Sequence, residues 1–356
     1  MKCSIVLYTI LPLVCFFSCA PKTEQENKSD NRSKDQLESI SALLQDAAFA
    51  VSIARAQDSA YAASQKQSIP AFPDQDSMLS KSLKEEKIAT NVAAFYAVEC
   101  GISALIGEKG GTPVEWLKKI VAKTTDSGDV LLLNRFANAT WKAGQPFRSL
   151  SRIKRDNFIA ANFLSAAETK KDYDQVLAAA GLMLDSLQAL EGSLKEIQRD
   201  KMKQLLQSKQ FAIEMARHME AAYYKADNKA VPEFLSASDD TAIIKKSAFE
   251  EKVATNLAGF YALECGLSYF ATQNKDPLVV LQSIIDNTIH TKDKTLLERF
   301  ANATWKASQP FRSLGRITRD NFIPFPLLSA EEVEKDWVQL QTAAAVVKKA
   351  LDEKKN

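Results

Sequence analysis

Glycine and proline are scarce, 11 of each in 356 residues, and histidine is scarcer still at two. So few turn-forming residues exclude collagen-like and low-complexity chains, and they speak against a turn-rich β fold. The sequence holds no HExxH, CxxC or glycine-rich phosphate loop, and its two histidines belong to no Ser-His-Asp set. Zinc and serine-triad chemistry therefore lack their residues, and neither metal nor cofactor is expected. Excess charge of one sign is missing too. Lys+Arg 46 nearly balances Asp+Glu 44, so no basic field points to nucleic acid. What remains is 46% apolar, rich in Ala, Leu, Lys, Gln and Glu, and long enough for two cores of roughly 150 residues each. That composition favours helix.

The first residues read as an export signal. Lys2 supplies the positive start and Ile5 to Phe17 is an apolar run interrupted by Thr9 and Pro12. Such a run is too short to cross a bilayer and suits a signal sequence. It ends in Phe16-Phe17-Ser18-Cys19, which resembles a lipobox with Phe16 where Leu is usual. Residues 1–18 are expected to be removed and Cys19 to be lipidated, anchoring the chain to a membrane through acyl groups. Cleavage after Ala20 is the competing reading, but it would place Pro21 directly after the scissile bond. Residues 19–36 are polar and read as a flexible tether reaching roughly 20–25 Å. Ala20, not Asp, follows the cysteine, so the outer membrane is favoured in a cell that has one.

An internal repeat organises the rest. EEKIATNVAAFYAVECGIS from Glu85 returns as EEKVATNLAGFYALECGLS from Glu250, identical at 14 of 19 positions. RFANATWKAGQPFRSLSRIKRDNFI from Arg135 returns as RFANATWKASQPFRSLGRITRDNFI from Arg299, identical at 22 of 25. Between the blocks, matches thin to seven in about thirty positions, so something holds the blocks themselves fixed. The expectation is an all-α chain of two tandem helical-bundle modules, residues 37–195 and 196–354. In the first module helices are expected over 38–66, 80–107, 113–124, 128–144 and 146–158, with Pro113 and Pro146 in first turns. The stretch from Ala167 to Tyr224 lacks proline and predicts a near-continuous helix joining the modules, bent at Gly181 and Gly192. Cys100 and Cys265 fall at equivalent points in apolar helix sequence. Core thiols and an inter-repeat disulfide are both open there.

Three sets of repeated polar residues could carry function. Arg148, Arg152 and Arg155 recur as Arg312, Arg316 and Arg319. Their i, i+4, i+7 spacing on a helix stacks them on one face, roughly 145° from the apolar positions. All six stay Arg, which suggests fork-like hydrogen bonding to carboxylate or phosphate. An internal network with Glu85, Glu86 or Glu99 is the alternative. Trp141 and Trp305, with Gln145 and Gln309, precede the arginines and read as core anchors or as a stacking wall beside them. Glu99 and Glu264, with Asn91 and Asn256 eight residues earlier, could be acids with raised pKa. The plainer reading pairs each Glu with an arginine of the second block.

Gly259-Phe260-Tyr261-Ala262-Leu263-Glu264 resembles the GxHxxE motif of imelysin-like proteins, which are exported, duplicated helical bundles. The resemblance covers six residues and lacks the histidine that would ligate metal. The leading expectation is a membrane-anchored, non-catalytic binding or scaffolding protein of the bacterial envelope. Its Arg/Trp surface would meet an anionic small molecule, a glycan or an envelope protein. A hydrolase or transferase acting through Glu99 and Glu264 is the alternative. A third reading makes the polar blocks glue between the modules, with Glu99 facing arginines and no pocket left.

Overall fold

The computed structural model describes residues 34–64 apart from 41, 66, 68, 77–226, 229–231, 233 and 241–353. The expected signal segment, Cys19 and the tether up to residue 33 lie outside them. The described residues are predominantly helical.

From the N-terminus come α1 (Lys34–Leu44) and α2 (Ala47–Ser64), then a strand β1 (Met78–Ser82). There follow α3 (Leu83–Asn91), α4 (Ala93–Lys109), α5 (Pro113–Val121) and α6 (Ser127–Arg148). Two 3-10 turns, Leu150–Lys154 and Ala161–Phe163, lead into α7 (Ala166–Leu187). After α8 (Lys195–Leu206) and α9 (Lys209–Ala226) the same order returns: β2 (Ile243–Ser247), α10 (Ala248–Thr255), α11 (Ala258–Thr272), α12 (Pro277–Ile285), α13 (Thr291–Arg312), two 3-10 turns and α14 (Ala330–Glu353).

Local chemistry accounts for the boundaries. Thr112 caps α5 in a reciprocal capping box with Glu115, and Pro113 sits in its first turn, where a missing N–H costs nothing. Ser82 and Ser247 end the strands and cap α3 and α10. α4 and α11 are mostly apolar and bury most of their residues, as helices in the middle of a core do. Length and hydropathy alone would let Leu83–Lys109 cross a membrane, but 83% of its apolar window is buried inside the fold.

Four expectations are corrected. The segment expected as one helix over 80–107 is a strand and two helices broken at Val92. Pro146 is not in a first turn. It lies in the last turn of α6, which runs through to Arg148, where loss of one intrahelical bond is tolerated. The near-continuous junction helix is interrupted instead at 188–194 and 207–208. Gly181 stays inside α7, while Gly192 takes φ +76° at the break, a conformation that suits glycine. Gln36, expected in the tether, is instead buried in α1 and bonds Asp276 and the Leu278 N–H.

The two sequence halves share one continuous core. α13 packs on α6 and α4, and α11 packs on α6. Phe136 stacks on Phe300 at 4.0 Å, and Phe147 on Phe311 at 5.3 Å. β1 pairs antiparallel with β2 about Ser80 and Lys245. The outer helices cross over: α2 packs on α14 and α10, while α9 packs on α7 and α3. Cys100 and Cys265 are buried free thiols, so no disulfide joins the halves there.

Candidate functional site

Glu99 and Glu264 are enclosed in the core, and each meets a lysine from the opposite half. Lys306 Nζ reaches Glu99 Oε2, and Lys142 Nζ reaches Glu264 Oε2, both at 2.5 Å. The Phe325 N–H donates to Glu99 at 3.1 Å, and the Ala161 N–H and Ser268 hydroxyl donate to Glu264 at 2.9 and 2.7 Å. Burial favours the neutral acid at Glu264, but the Lys142 ammonium and these donors outweigh it and hold the carboxyl below its ordinary range. The expected arginine partners are thereby corrected to lysines. A compact ammonium at the end of a long apolar stem reaches the core where a guanidinium fork would need more room. Tyr261 and Glu264, from the six-residue imelysin-like stretch, are both core residues. Among the described residues no cluster of three His, Cys, Asp or Glu side chains could hold a metal ion.

The arginines lie elsewhere, in two open clefts of about 430 and 340 Å³. The first gathers Trp141, Gln145, Arg148, Arg152 and Arg155; the second gathers Trp305, Gln309, Arg312, Arg316 and Arg319. Asn91 and Asn256 line the same two clefts, not the surroundings of the buried glutamates. Each ends its short helix by donating its side-chain N–H to a backbone carbonyl four residues back, at 2.9 Å.

α6 shows how one helix serves both centres. Asn138, Trp141, Gln145 and Arg148 fall at spacings of three and four and share the cleft face. Phe136, Ala139, Lys142 and Ala143 turn inward and are buried. The arginines do not form a stripe along one helix. Arg148 ends α6, Ser149 is extended at φ −173°, Arg152 sits in a 3-10 turn and Arg155 is extended again at ψ 147°. Three backbone states thus bring three guanidiniums to one cleft, and the second half repeats them at Ser313 and Arg319. Gln145 accepts from Arg152 at 2.9 Å and Gln309 from Arg316 at 2.8 Å. Burial, then the like charges of Arg148 and Arg155, lower the pKa of Arg152. The arrangement concentrates positive charge and welcomes a counter-anion.

Of the acids expected to neutralise the arginines, Glu99 meets Lys306, and Glu86 is shared between a lysine and the field of Arg152. Glu86 pairs with Lys246 at 2.7 Å and Glu251 with Lys81 at 2.8 Å. Each of these lysines also donates to an arginine carbonyl, Lys246 to Arg148 at 3.0 Å and Lys81 to Arg312 at 2.9 Å. Each tryptophan packs partly buried against a core phenylalanine and also lines its cleft.

Opposite the arginines stands a wall that sequence reasoning missed. α7 supplies Glu168, Lys171, Asp172 and Gln175 to the first cleft, and α14 supplies Glu332, Lys335, Asp336 and Gln339 to the second. The signal was available: these four residues recur at identical spacing in both halves, in a stretch where neighbouring positions differ. Asp172 accepts from Asn138 at 3.4 Å and Asp336 from Asn302 at 3.3 Å. Withdrawal from water pushes these carboxyls up to about 7 and about 8. Glu168 moves the other way, held down first by Asn157 at 3.0 Å and then by Lys171 at 3.1 Å. Each cleft therefore joins a guanidinium cluster, an aromatic wall and a carboxyl that titrates near neutrality. Set against protein-family models, curated proteins and solved structures, the chain matched none.

Proposed function

We propose that this is a bacterial lipoprotein whose two-copy helical body is a non-catalytic binding or scaffolding protein. It holds anionic groups in its paired Arg/Trp clefts. The observation that carries the reading is the convergence of Arg148, Arg152 and Arg155 with Trp141 and Gln145, and of their five counterparts. An anion among three guanidiniums gains charge-assisted hydrogen bonds from each. The two-copy reading is supported by the recurring order of elements and by contacts between equivalent residues such as Phe136 and Phe300.

In this reading residues 1–18 are removed, Cys19 carries the lipid, and the body faces the envelope space, at the outer membrane where the cell has one. Ligands are an anionic small molecule, a glycan or the acidic group of an envelope protein. Catalysis by Glu99 and Glu264 has less in its favour, because both carboxylates are buried and ion-paired to lysines. The test is native mass spectrometry of the lipoprotein purified from its own membrane. A stoichiometric anionic adduct or acidic partner is expected, lost when the six arginines become Gln. A bare monomer in both cases overturns the binding reading. Failure of Cys19→Ala to abolish acyl labelling overturns the anchor.

A further inference from the structure

The two clefts share their arginine ends and differ at the wall that comes from the opposite sequence half. In the Trp305 cleft that wall is Gln57 of α2. Its amide is satisfied by backbone when the nitrogen faces the Asn256 carbonyl at 2.6 Å and the oxygen faces the Phe260 N–H at 3.3 Å. Gly259 makes room for it, since a Cβ there would lie 3.1 and 3.2 Å from the two polar atoms of the Gln57 amide. The neighbouring Asp58 meets Lys252 through Oδ1 at 2.6 Å; its enclosed Oδ2 accepts no hydrogen bond among the described residues, but Asp58 does not line the cleft.

In the Trp141 cleft the wall is α9, which contributes Glu220 and Tyr224. Glu220 stands where Asp58 stands in the other half, by the shift that aligns Leu43-Leu44-Gln45 with Leu205-Leu206-Gln207. Its Oε2 is enclosed and accepts no hydrogen bond among the described residues. Burial raises the pKa of this carboxyl, and Lys87 pulls it the other way. An enclosed acceptor without a donor is costly to maintain, and here it lines an open cleft. The Trp141 cleft thus has a cationic end and an under-satisfied acidic wall. The Trp305 cleft has the first feature with a self-satisfied amide in place of the second.

We propose that the Trp141 cleft binds a phosphate monoester bearing a primary ammonium group, with the phosphate on Arg148, Arg152 and Arg155 and the ammonium on Glu220. The inference rests on the anion-binding reading above. Phosphate is favoured over carboxylate because three guanidiniums outnumber the two oxygens of a carboxylate. A phosphate monoester instead presents three oxygens and a charge of about −1.5 to −2 near pH 7. The ammonium supplies the donor that Glu220 lacks. The Trp305 cleft takes the same phosphate with no preference for an amine.

The test uses the full chain in detergent micelles and isothermal titration with O-phosphoethanolamine and ethyl phosphate, which differ by the amine alone. Arg316→Gln silences the Trp305 cleft so that one site is read. O-Phosphoethanolamine is expected to bind that site at least tenfold more tightly than ethyl phosphate. Glu220→Gln should erase the preference, bringing O-phosphoethanolamine and ethyl phosphate to equal affinity. Equal binding of both probes to the unmodified cleft, or a preference that survives Glu220→Gln, overturns this inference and leaves the anion reading standing. Binding of neither probe overturns both phosphate and ammonium assignments, while adducts in the mass-spectrometric test would still uphold an anion of another class. Glycerophosphoethanolamine separates a free monoester from a lipid-type diester headgroup. It is expected to bind more weakly, and equal affinity overturns the monoester assignment.

Discussion

Lys142 and Gln145 lie one turn apart on the same helix and in the same repeated sequence block, yet they serve opposite environments. Lys142 is enclosed with Glu264 in a dry pair, whereas Gln145 orients Arg152 at the edge of an open cleft. Both kinds of residue recur unchanged in the second half. The contrast teaches that a polar residue kept in two copies marks a constraint without naming its kind. In the core the constraint is electrostatic closure, because an ion removed from water must have its counter-ion. At the cleft, three guanidiniums are gathered about a space that carboxyls also line and that a ligand can fill.

The largest effect should come from breaking the dry side of this contrast. Glu99→Ala leaves the Lys306 ammonium buried without its carboxylate and should cost about 3–5 kcal/mol in urea unfolding. Replacing both members by Met should recover most of that loss. On the open side, Arg152→Gln should leave stability within about 0.5 kcal/mol. It should weaken anion binding at the Trp141 cleft by about 10–100-fold, the equivalent of a charge-assisted bond worth about 1.5–3 kcal/mol. Equal damage to stability from both variants would erase the distinction between the two environments.

Two glycines sharpen it at smaller scale. A Cβ at Gly266 would run into Leu297 Cδ2, while Gly181 has nothing within 4 Å. Gly266→Ala should therefore cost about 1–3 kcal/mol by overpacking, and Gly181→Ala should stabilise by about 0.4–1 kcal/mol. Thermal unfolding of the two variants reads both signs.

The gentlest effect is a slope. Asp172 and Asp336 bind protons more tightly in the folded chain, up to about 7 and about 8, than their ordinary value of 3.8. Their contribution is fully present below about pH 4 and is lost as pH rises through about 7 and 8. Stability measured from pH 5 to 8.5 should fall less in an Asp172→Asn, Asp336→Asn double variant. Affinity for sulfate, whose charge is constant across this range, should rise in the unmodified chain as the pH is lowered, because a neutral carboxyl adds no repulsion.

Helical character and the Thr112-Pro113 start were legible because apolar spacing, capping and proline chemistry are local. The residues that line the clefts were partly legible as well: arginine, tryptophan and glutamine kept in both halves drew notice without any structure. Their mode of convergence was not, since the extended backbone at Ser149 and Arg155 is fixed by packing and leaves no mark in periodicity. The lysine partners of Glu99 and Glu264 were hidden for another reason. Lys142 and Lys306 lie 122 and 207 residues from their carboxylates, and a lysine beside a tryptophan on a polar helix reads as surface. The α7 and α14 walls lay just past the long identical block, where scattered matches at helical spacing carry less weight than an unbroken run.

The crossing of the outer helices has a consequence for how the molecule comes to exist. α2 closes against α14 near the other end of the chain, and α9 from the second half completes the first cleft. Contacts so distant in sequence raise the contact order, and closure of the long loops must precede the contacts that reward it. Folding should accordingly be slow and concerted, with no half acquiring its cleft alone. The lining of the Trp141 cleft is complete only once the chain has emerged past α9, and that of the Trp305 cleft only once α14 is in place, so the first site can be assembled before the second exists.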